Sequence, residues 1–258
     1  MVDFESITTL LFDIDNTLLI FDEPRFRSIY SKLIHKYFQK EMPDLNHFVK
    51  IFLESIYNIM KSNHPSHTIL SRFELEFSKH FETLTASIIQ ERFLQFYQNE
   101  YNQLSQIIKP NPFAKSLLTL AAKHFTLVAA TNPFFPLIAN EFRLKWGGIG
   151  RNNIRWDEIT SSDYYHSAKP HIEYYQEILN RLNKKPNECL MIGNDPNNDM
   201  SAGKIGIKTF LVVSYGDLDN KISPTSLDQE KAKFPINFFG TLEDFYKLMK
   251  QFIHSKGI

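Results

Sequence analysis

The chain has 258 residues and carries 29 Lys and Arg against 29 Asp and Glu, so its formal net charge is zero. Hydrophobic residues make up 43% and charged residues 22%, which is typical of a globular protein with a sizeable core. A neutral chain without a dense basic run offers no electrostatic basis for binding nucleic acid or an acidic membrane. The single cysteine, Cys189, excludes an intrachain disulfide and a cysteine-based zinc cluster.

The N-terminal residues indicate where the protein resides. They read MVDFESITTLLFDID and carry acids early, without the basic region of a secretory signal. No apolar run approaches the roughly 20 residues that a membrane helix needs. We therefore expect a soluble, cytoplasmic protein. For the oligomeric state, a monomer is the default expectation and a homodimer is the alternative.

Short apolar runs along the chain predict the strands of a sheet. The first, residues 8–14, is rich in strand formers and too short for a helix. Similar runs occupy residues 125–130, 189–192, 209–213 and 236–239, with a weaker one at 156–159. Helical patterns separate them, at residues 113–123, at 171–182 and after a capping box formed by Thr241 and Asp244. This alternation predicts an α/β fold, a Rossmann-like doubly wound parallel sheet with helices on both faces.

One long stretch, residues 20–108, contains no convincing strand. Asp22 can cap a helix whose first turn contains Pro24, and apolar residues then recur at helical spacing. Similar patterns run through residues 48–60, 73–81 and 88–104. We therefore predict an all-helical domain over residues 20–108, inserted into an α/β core domain of residues 1–19 and 109–258.

The strongest chemical signal is the sequence Asp13-Ile14-Asp15-Asn16-Thr17 at the end of the first strand. Alternation along a strand places Asp13 and Asp15 on one side. Two close carboxylates repel each other, so we expect a cation beside them, and Mg²⁺ suits oxygen ligands best. Taken alone, the short pattern is also compatible with acids that cap a loop, although a catalytic pair is favoured.

Three further segments place polar residues where ligands bind in doubly wound sheets, beyond the carboxyl ends of strands. Thr131-Asn132 follows the predicted strand 125–130, Lys169-Pro170 precedes the helix near residue 171, and residues 193–199 (GNDPNND) follow the strand 189–192. These supply a hydroxyl, a cation and further carboxylates, the groups that phosphoryl transfer needs. Each segment alone is compatible with a turn, but their order and placement together favour one site.

As a set, these motifs resemble those of the haloacid dehalogenase superfamily of hydrolases. The resemblance covers residues 1–19 and 109–258, and the helical insertion looks like the type 1 cap of that superfamily. The family's four motifs occur in order, at Asp13/Asp15/Thr17, Thr131, Lys169 and Asp195/Asp199. The resemblance implies a magnesium-dependent phosphatase, since members that cleave carbon–halogen or phosphonate bonds usually lack an aspartate at the position of Asp15.

The resemblance also implies a role for each matching residue. Asp13 would be the nucleophile and Asp15 the general acid and base. The predicted Mg²⁺ ligands are the Asp13 carboxylate, the Asp15 carbonyl and the Asp195 carboxylate. The phosphoryl group would be bound by Thr131, Asn132 and Lys169, and supporting roles fall to Thr17, Asn194 and Asp199.

The fourth motif departs from the common Gly-Asp form, because Asn194 follows Gly193. Aligned from its last aspartate, the segment places Asp195 on the metal; aligned from Gly193, it places Asn194 there. An amide oxygen can ligate Mg²⁺ but brings no charge. We favour Asp195, with Asp199 as a water-mediated ligand or a partner of Lys169.

Two other enzyme functions remain open on the same scaffold, a sugar-phosphate mutase and a hydrolase of C–X bonds. A third alternative is a non-catalytic protein that binds phosphate esters. The expected substrate is a small phosphorylated metabolite, contacted by residues just after Thr17 such as Phe21 and Arg25. Residues 147–150 (GGIG) lack the flanking strand and helix of a phosphate loop, and His64 and His67 are expected to be exposed loop residues rather than metal ligands.

Overall fold

A six-stranded, all-parallel sheet forms the centre of the molecule, in the order β5-β4-β1-β6-β7-β8. The computed structural model describes residues 4–61, 63–64, 66–213 and 233–255. The strands of this sheet are β1 (Thr9–Phe12), β4 (Thr126–Ala129), β5 (Glu158–Ile159), β6 (Cys189–Gly193), β7 (Lys208–Val212) and β8 (Phe238–Gly240). Every predicted strand is present, and the predicted α/β parallel fold is confirmed.

The first strand lies inside the sheet between β4 and β6, and all four of its residues are buried. Its register pairs Leu10 with Leu127 on one side and with Leu190 on the other. A strand buried on both faces needs apolar side chains at every position, which explains the unbroken run in the sequence. The central position also places whatever follows Phe12 in the middle of the carboxyl edge.

Helices cover both faces of the sheet, as the alternation along β1 shows. They are α5 (Ala114–Ala121), α6 (Leu137–Trp146), α7 (Ile172–Leu182) and α8 (Leu242–Ser255). Leu10 and Phe12 belong to an apolar cluster with Leu117 of α5 and Phe245 of α8. Leu11 points to the opposite face and packs in a second cluster with residues of α7. The capping box of α8 is confirmed: the Thr241 N–H donates to Asp244 Oδ2 at 2.9 Å, and the Asp244 N–H donates to Thr241 Oγ1 at 3.1 Å.

Within residues 20–108, the part that the structure describes forms four α-helices: α1 (Glu23–His35), α2 (Leu45–Met60), α3 (Ile69–Ser78) and α4 (Ala86–Gln98). The predicted cap of α1 is confirmed, since Asp22 Oδ1 accepts the Arg25 N–H at 2.8 Å. A 3₁₀ helix (Tyr101–Ile107) follows α4. The aromatic side chains of these helices pack on one another, for example Phe48 on Phe77 with ring centroids 5.9 Å apart.

The helical segment begins and ends at a two-stranded antiparallel ribbon of β2 (Leu19–Ile20) and β3 (Lys109–Pro110). This ribbon was not predicted. Backbone bonds also join the segment to the sheet's loops: the Ile69 N–H donates to the Tyr165 carbonyl and the Leu70 N–H to the Ser162 carbonyl, both at 2.9 Å. The division into a core and an inserted domain remains a prediction. In the described ranges, no helix combines the length and apolar character that crossing a membrane requires.

Candidate active site at the carboxyl edge of the sheet

Asp13 and Asp15 leave the end of β1 and line one cavity. The Asp13 N–H still donates to the Ile192 carbonyl at 2.9 Å, so the first carboxylate is held by the sheet's own hydrogen-bond ladder. The next turn requires the left-handed conformation at Asn16 (φ 54°), which asparagine tolerates better than most residues. Asp13 is only 7% exposed, whereas the Asp15 side chain retains 31% exposure.

Lys169 connects two of the predicted motifs directly. Its ammonium lies 2.9 Å from Asp13 Oδ1 and 2.6 Å from Asp199 Oδ1, and its side chain is 1% exposed. Burial alone would lower the pKa of Lys169, but the carboxylates of Asp13 and Asp199 outweigh it and raise that pKa well above its usual value. The lysine is therefore a permanent positive charge against the predicted nucleophile.

Gly193 makes this arrangement possible, because a side chain at that position would clash with the Asp199 carboxylate. Without a Cβ there, Asp199 approaches the backbone and accepts the Asp195 N–H on Oδ2 at 2.9 Å while its Oδ1 faces Lys169. Burial raises the pKa of Asp199, and the Lys169 ammonium opposes that rise. The direct contact between Asp199 and Lys169 thus supports the predicted role of Asp199 as a partner of that lysine.

The motif after β4 lines the same cavity with Thr131 and Asn132. Thr131 is 2% exposed, and its carbonyl accepts hydrogen bonds from Thr160 Oγ1 at 2.7 Å and Tyr174 OH at 2.8 Å. These bonds fix the backbone beside Asp13. Asn132 Oδ1 is buried without a hydrogen-bond partner among the described residues, so it can accept a bond from a ligand.

The two candidate metal ligands of the fourth motif differ in what they contact. Asn194 Oδ1 accepts from Thr17 Oγ1 at 3.2 Å, and the same hydroxyl is 3.5 Å from Asp13 Oδ2. Asp195 uses Oδ1 for the N–H groups of Asn197 (2.9 Å) and Asn198 (3.0 Å), and Oδ2 for Asn198 Nδ2 (2.6 Å). Both Asp195 oxygens therefore stabilise their own loop, and the geometry shifts our preference from Asp195 to Asn194.

Arg143 is a site residue that sequence reasoning missed. It lies on α6, is fully buried, and forms an ion pair through Nη2 with Asp15 Oδ1. Its Nη1 donates to Asn140 Oδ1 at 3.0 Å, and its guanidinium lies 5.0 Å from the centre of the Phe135 ring. Burial lowers the pKa of Arg143 to about 10, with Asp13 opposing, so the group stays charged at neutral pH. A single arginine in an unrecognised helix carried no motif that could have revealed it.

The cavity in front of these groups has a volume of about 670 Å³ and reaches from the sheet edge to α1 and α2. Its floor carries the polar groups already described. Its walls are formed by Phe21, Glu23, Phe26, Arg27, Ser28, Tyr30, Ser31, Lys32, Leu45, Asn46, Val49, Phe52, Leu53, Ile56, Phe134 and Phe135. Phe21 was an expected contact; Arg25, the other, is exposed and does not line the cavity.

The donor set fits a hard cation such as Mg²⁺ in chemistry and in charge. Near the floor, the ion pairs of the Asp13, Asp15 and Asp199 carboxylates within the described part of the chain involve two cations, Lys169 and Arg143. The remaining negative charge and the oxygen donors suit Mg²⁺. Within the described ranges, no group of three or more His, Cys, Asp or Glu side chains is arranged to hold a metal, so backbone and amide oxygens would have to complete the set.

The weaker motifs lie away from this site. His64 and His67 are exposed, as predicted, with their Nδ1 atoms 3.2 Å apart; Ser62 and Pro65 of that loop lie outside the described residues. Cys189 is buried, and burial raises the pKa of its thiol to about 12, as expected of an unreactive cysteine. Residues 147–150 directly follow α6 rather than a strand, so they do not form a phosphate loop.

Comparison with known proteins agrees with this arrangement. A glyceraldehyde 3-phosphate phosphatase from Methanothermobacter thermautotrophicus is 27% identical over 81% of this chain and 86% of its own length. A second glyceraldehyde 3-phosphate phosphatase, from Methanocaldococcus jannaschii, is 23% identical over 95% of this chain and 99% of its own. The magnesium-bound structure of the HAD hydrolase YfnB from Bacillus subtilis shares the fold, with a TM-score of 0.54 and 17% identity over 95% of this chain and 99% of that one.

The family model for haloacid dehalogenase-like hydrolases matches residues 7–205, more than half of the chain. This match confirms the predicted family and hydrolase class, and the phosphatase relatives bear out the prediction of a phosphatase-like enzyme. Motif order, parallel sheet and family match lead to one assignment. The chain belongs to the haloacid dehalogenase-like hydrolases.

Proposed function

We propose that this chain hydrolyses small phosphate monoesters through an aspartyl-phosphate on Asp13, with Mg²⁺ as its cofactor. One observation carries the proposal: the Asp13 carboxylate lines a large cavity while the buried Lys169 ammonium lies 2.9 Å from its Oδ1. A carboxylate fixed beside a cation can attack phosphorus, and the cation offsets negative charge that gathers on the transferring oxygens.

The first half-reaction transfers the phosphoryl group to the protein. Asp13 forms a bond to phosphorus as the ester P–O bond breaks, and Asp15 gives its proton to the departing alcohol oxygen. Thr131 and the backbone beside it hold the non-bridging oxygens. The second half-reaction reverses the proton transfer: Asp15 takes a proton from water, the water oxygen attacks phosphorus, and the bond to Asp13 breaks. Phosphate leaves, and both aspartates return to their starting states.

Mg²⁺ would be held by Asp13, the Asp15 carbonyl and Asn194, with Asp195 as the alternative in the fourth motif. When bound, it would supply positive charge toward the phosphoryl oxygens. The helical residues 20–108 would act as the cap that covers the cavity and excludes water. A cytoplasmic location and a monomeric state accompany this proposal as predictions.

Release of inorganic phosphate tests the proposal. The purified protein is incubated with acetyl phosphate and with 4-nitrophenyl phosphate, with Mg²⁺ and with EDTA. We expect Mg²⁺-dependent release that falls to background in Asp13→Asn. The matched control is Asp244→Asn, whose amide can still cap α8 away from the site. Wild-type protein that releases no phosphate from either compound, or Asp13→Asn that keeps normal turnover, would contradict the proposal.

A further inference from the structure

The cavity is larger than the substrate named for the curated relatives requires. At about 670 Å³ it falls in the range of pockets that enclose ligands of drug size. The organic part of glyceraldehyde 3-phosphate has only three carbons and would leave most of this space unfilled. The volume therefore leaves room for a substrate whose organic part is larger than three carbons.

The walls of the cavity are largely apolar and aromatic. Helix α2 contributes Val49, Phe52, Leu53 and Ile56, whose spacing of three and four residues places them on one helical face. The other apolar side chains come from α1 and from the loops after β2 and β4: Phe21, Phe26, Tyr30, Phe134 and Phe135. A polyol or a triose has no apolar surface to bury against such walls.

Two of these apolar wall residues are exposed to solvent, and a bound ligand would cover them. Leu53 is 47% exposed and Phe134 is 42% exposed, and they belong to different parts of the chain, α2 and the loop after β4. Single exposed apolar residues are common, but these two line the same cavity as the predicted nucleophile. An apolar group in the cavity would remove both from water.

The charged groups are distributed differently. Asp13 and Lys169 lie at the floor, while Glu23, Arg27 and Lys32 line the cavity from the exposed side of α1. The wall contributed by α2 offers aliphatic and aromatic contacts in the same cavity. A phosphate bound at the floor would leave the organic part of the ligand to contact these apolar side chains.

We propose that the substrate is a phosphate monoester whose organic part carries an aromatic ring or an apolar group of similar size. This substrate class rests on the proposed function, because it names what the same phosphatase site accepts. It also separates this chain from its relatives, whose named substrate is a small polar aldehyde.

A matched pair of primary alkyl phosphates tests the proposal without changing the chemistry of the ester. Ethyl phosphate and 2-phenylethyl phosphate both release a primary alcohol, so a difference in kcat/KM reports mainly on how the ring is bound. We expect the phenyl ester to be favoured by on the order of tenfold to a hundredfold, the range for apolar groups in a hydrophobic pocket. Glyceraldehyde 3-phosphate should fall nearer to the ethyl ester.

A pair of leucine variants then assigns the preference to the cavity. Leu53→Asn places an amide on the apolar wall and should lower the ratio of the two kcat/KM values at least threefold, a modest share of what an apolar contact can contribute. The control is Leu94→Asn on α4, because Leu94 is 46% exposed and does not line the cavity. The control should keep the wild-type ratio. Because both leucines are exposed, neither change should unfold the protein.

The outcomes separate this inference from the proposed function. Turnover of acetyl phosphate together with a ratio at or below one would contradict the substrate class and leave the phosphatase function standing. A preference that Leu53→Asn and Leu94→Asn lower equally would also contradict it, since the cavity wall would not be its source. No phosphate release from acetyl phosphate or either alkyl ester would overturn the proposed function and the substrate class together.

Discussion

At the residue scale, two buried cations hold the carboxylates around Asp13 and Asp15. Lys169 faces Asp13 and Asp199, whereas Arg143 faces Asp15. The two predicted catalytic carboxylates are therefore held by cations from different elements, Lys169 ahead of α7 and Arg143 on α6. Because both cations are buried, they orient a carboxylate more firmly than exposed ion pairs can.

Arg143 should act as a positioning residue for Asp15. In Arg143→Lys the charge remains, but the fork that reaches both Asp15 and Asn140 is lost. Alkyl phosphates need a proton on the leaving oxygen, and 4-nitrophenyl phosphate hardly does. We therefore expect kcat to fall about 10- to 100-fold for alkyl esters and less than about threefold for the nitrophenyl ester. Steady-state kinetics on both ester types measure this difference.

The control is Arg151→Lys, since Arg151 follows α6 and forms an exposed ion pair with Glu141 of that helix. This variant should keep kcat near the wild-type value for the alkyl esters and for the nitrophenyl ester. An equal loss on both ester types in Arg143→Lys would mean that Arg143 supports the fold rather than the position of Asp15.

Whether Asn194 or Asp195 is the Mg²⁺ ligand can be tested with two variants. Asn194→Asp adds a negative charge at the first position, and Asp195→Asn removes one at the second. We expect Asn194→Asp to tighten Mg²⁺ binding about tenfold, because a carboxylate replaces an amide beside Asp13. Asp195→Asn should bind Mg²⁺ nearly as wild type does, because an amide oxygen can still accept the loop's N–H groups. Calorimetric titration of the substrate-free protein with Mg²⁺ measures both. Weaker binding in Asp195→Asn with no change in Asn194→Asp would assign the ligand to Asp195.

Most of the site could be predicted from the sequence because its residues follow strand ends. A parallel sheet brings its carboxyl edges together, so motifs far apart in the chain meet without any knowledge of the helices between them. The placement of Thr131 and Asn194 in the same cavity as Asp13 follows from that rule. Two features of the site could not be predicted from that rule. One is the set of hydrogen bonds that occupies the Asp195 carboxylate. The other is Arg143, whose role depends on the direction in which its side chain leaves α6.

At the scale of elements, α6 is the helix that the sequence did not reveal. Its buried face includes the polar residues Asn140 and Arg143, so the apolar spacing expected of an amphipathic helix is interrupted. The β2–β3 ribbon was missed for another reason: each strand has only two residues, too few to show a period. In contrast, α1 was predictable because a capping aspartate and a proline mark its first turn.

Glu74 on α3 should make the helical segment less stable at high pH. It is 7% exposed, its Oε1 has no hydrogen-bond partner among the described residues, and burial raises its pKa from 4.5 to about 7, with Asp163 adding to the rise. The folded state therefore holds this proton more tightly than the unfolded state. The free energy of unfolding should fall as pH rises from about 4.5 to 7 and stay level above that.

Glu74→Gln removes this titration. Relative to wild type, the variant should gain about 1–3 kcal/mol of unfolding free energy at pH 8 compared with pH 4. Urea denaturation at both pH values measures the difference, and the exposed Glu54→Gln on α2 serves as control. A gain of the same size at pH 4 and pH 8 would show that the charge of Glu74 is not the cause.

At the scale of the whole molecule, the sheet and the helical segment supply different parts of one cavity. The carboxyl edge provides Asp13, Thr131 and Lys169, and α1 and α2 provide most of the apolar wall. The sequence predicts the first contribution through its motifs. It could not predict the second, because which faces of α1 and α2 meet the sheet depends on tertiary contacts such as those at Ile69 and Leu70.

The central claim is that Asp13 carries the phosphoryl group during turnover. Its most direct test is to quench Asp15→Asn with acid shortly after adding a ³²P-labelled acyl or nitrophenyl phosphate and Mg²⁺. Both compounds have good leaving groups that need little acid assistance. The amide in the Asp15→Asn variant cannot activate water, so the intermediate should accumulate. We predict that the label on the protein survives acid, is released by hydroxylamine and lies on the peptide containing Asp13. It should be absent from the double variant that carries both Asp13→Asn and Asp15→Asn. Two results would contradict the account: rapid phosphate release by the wild type while Asp15→Asn yields no labelled protein, or label on another peptide.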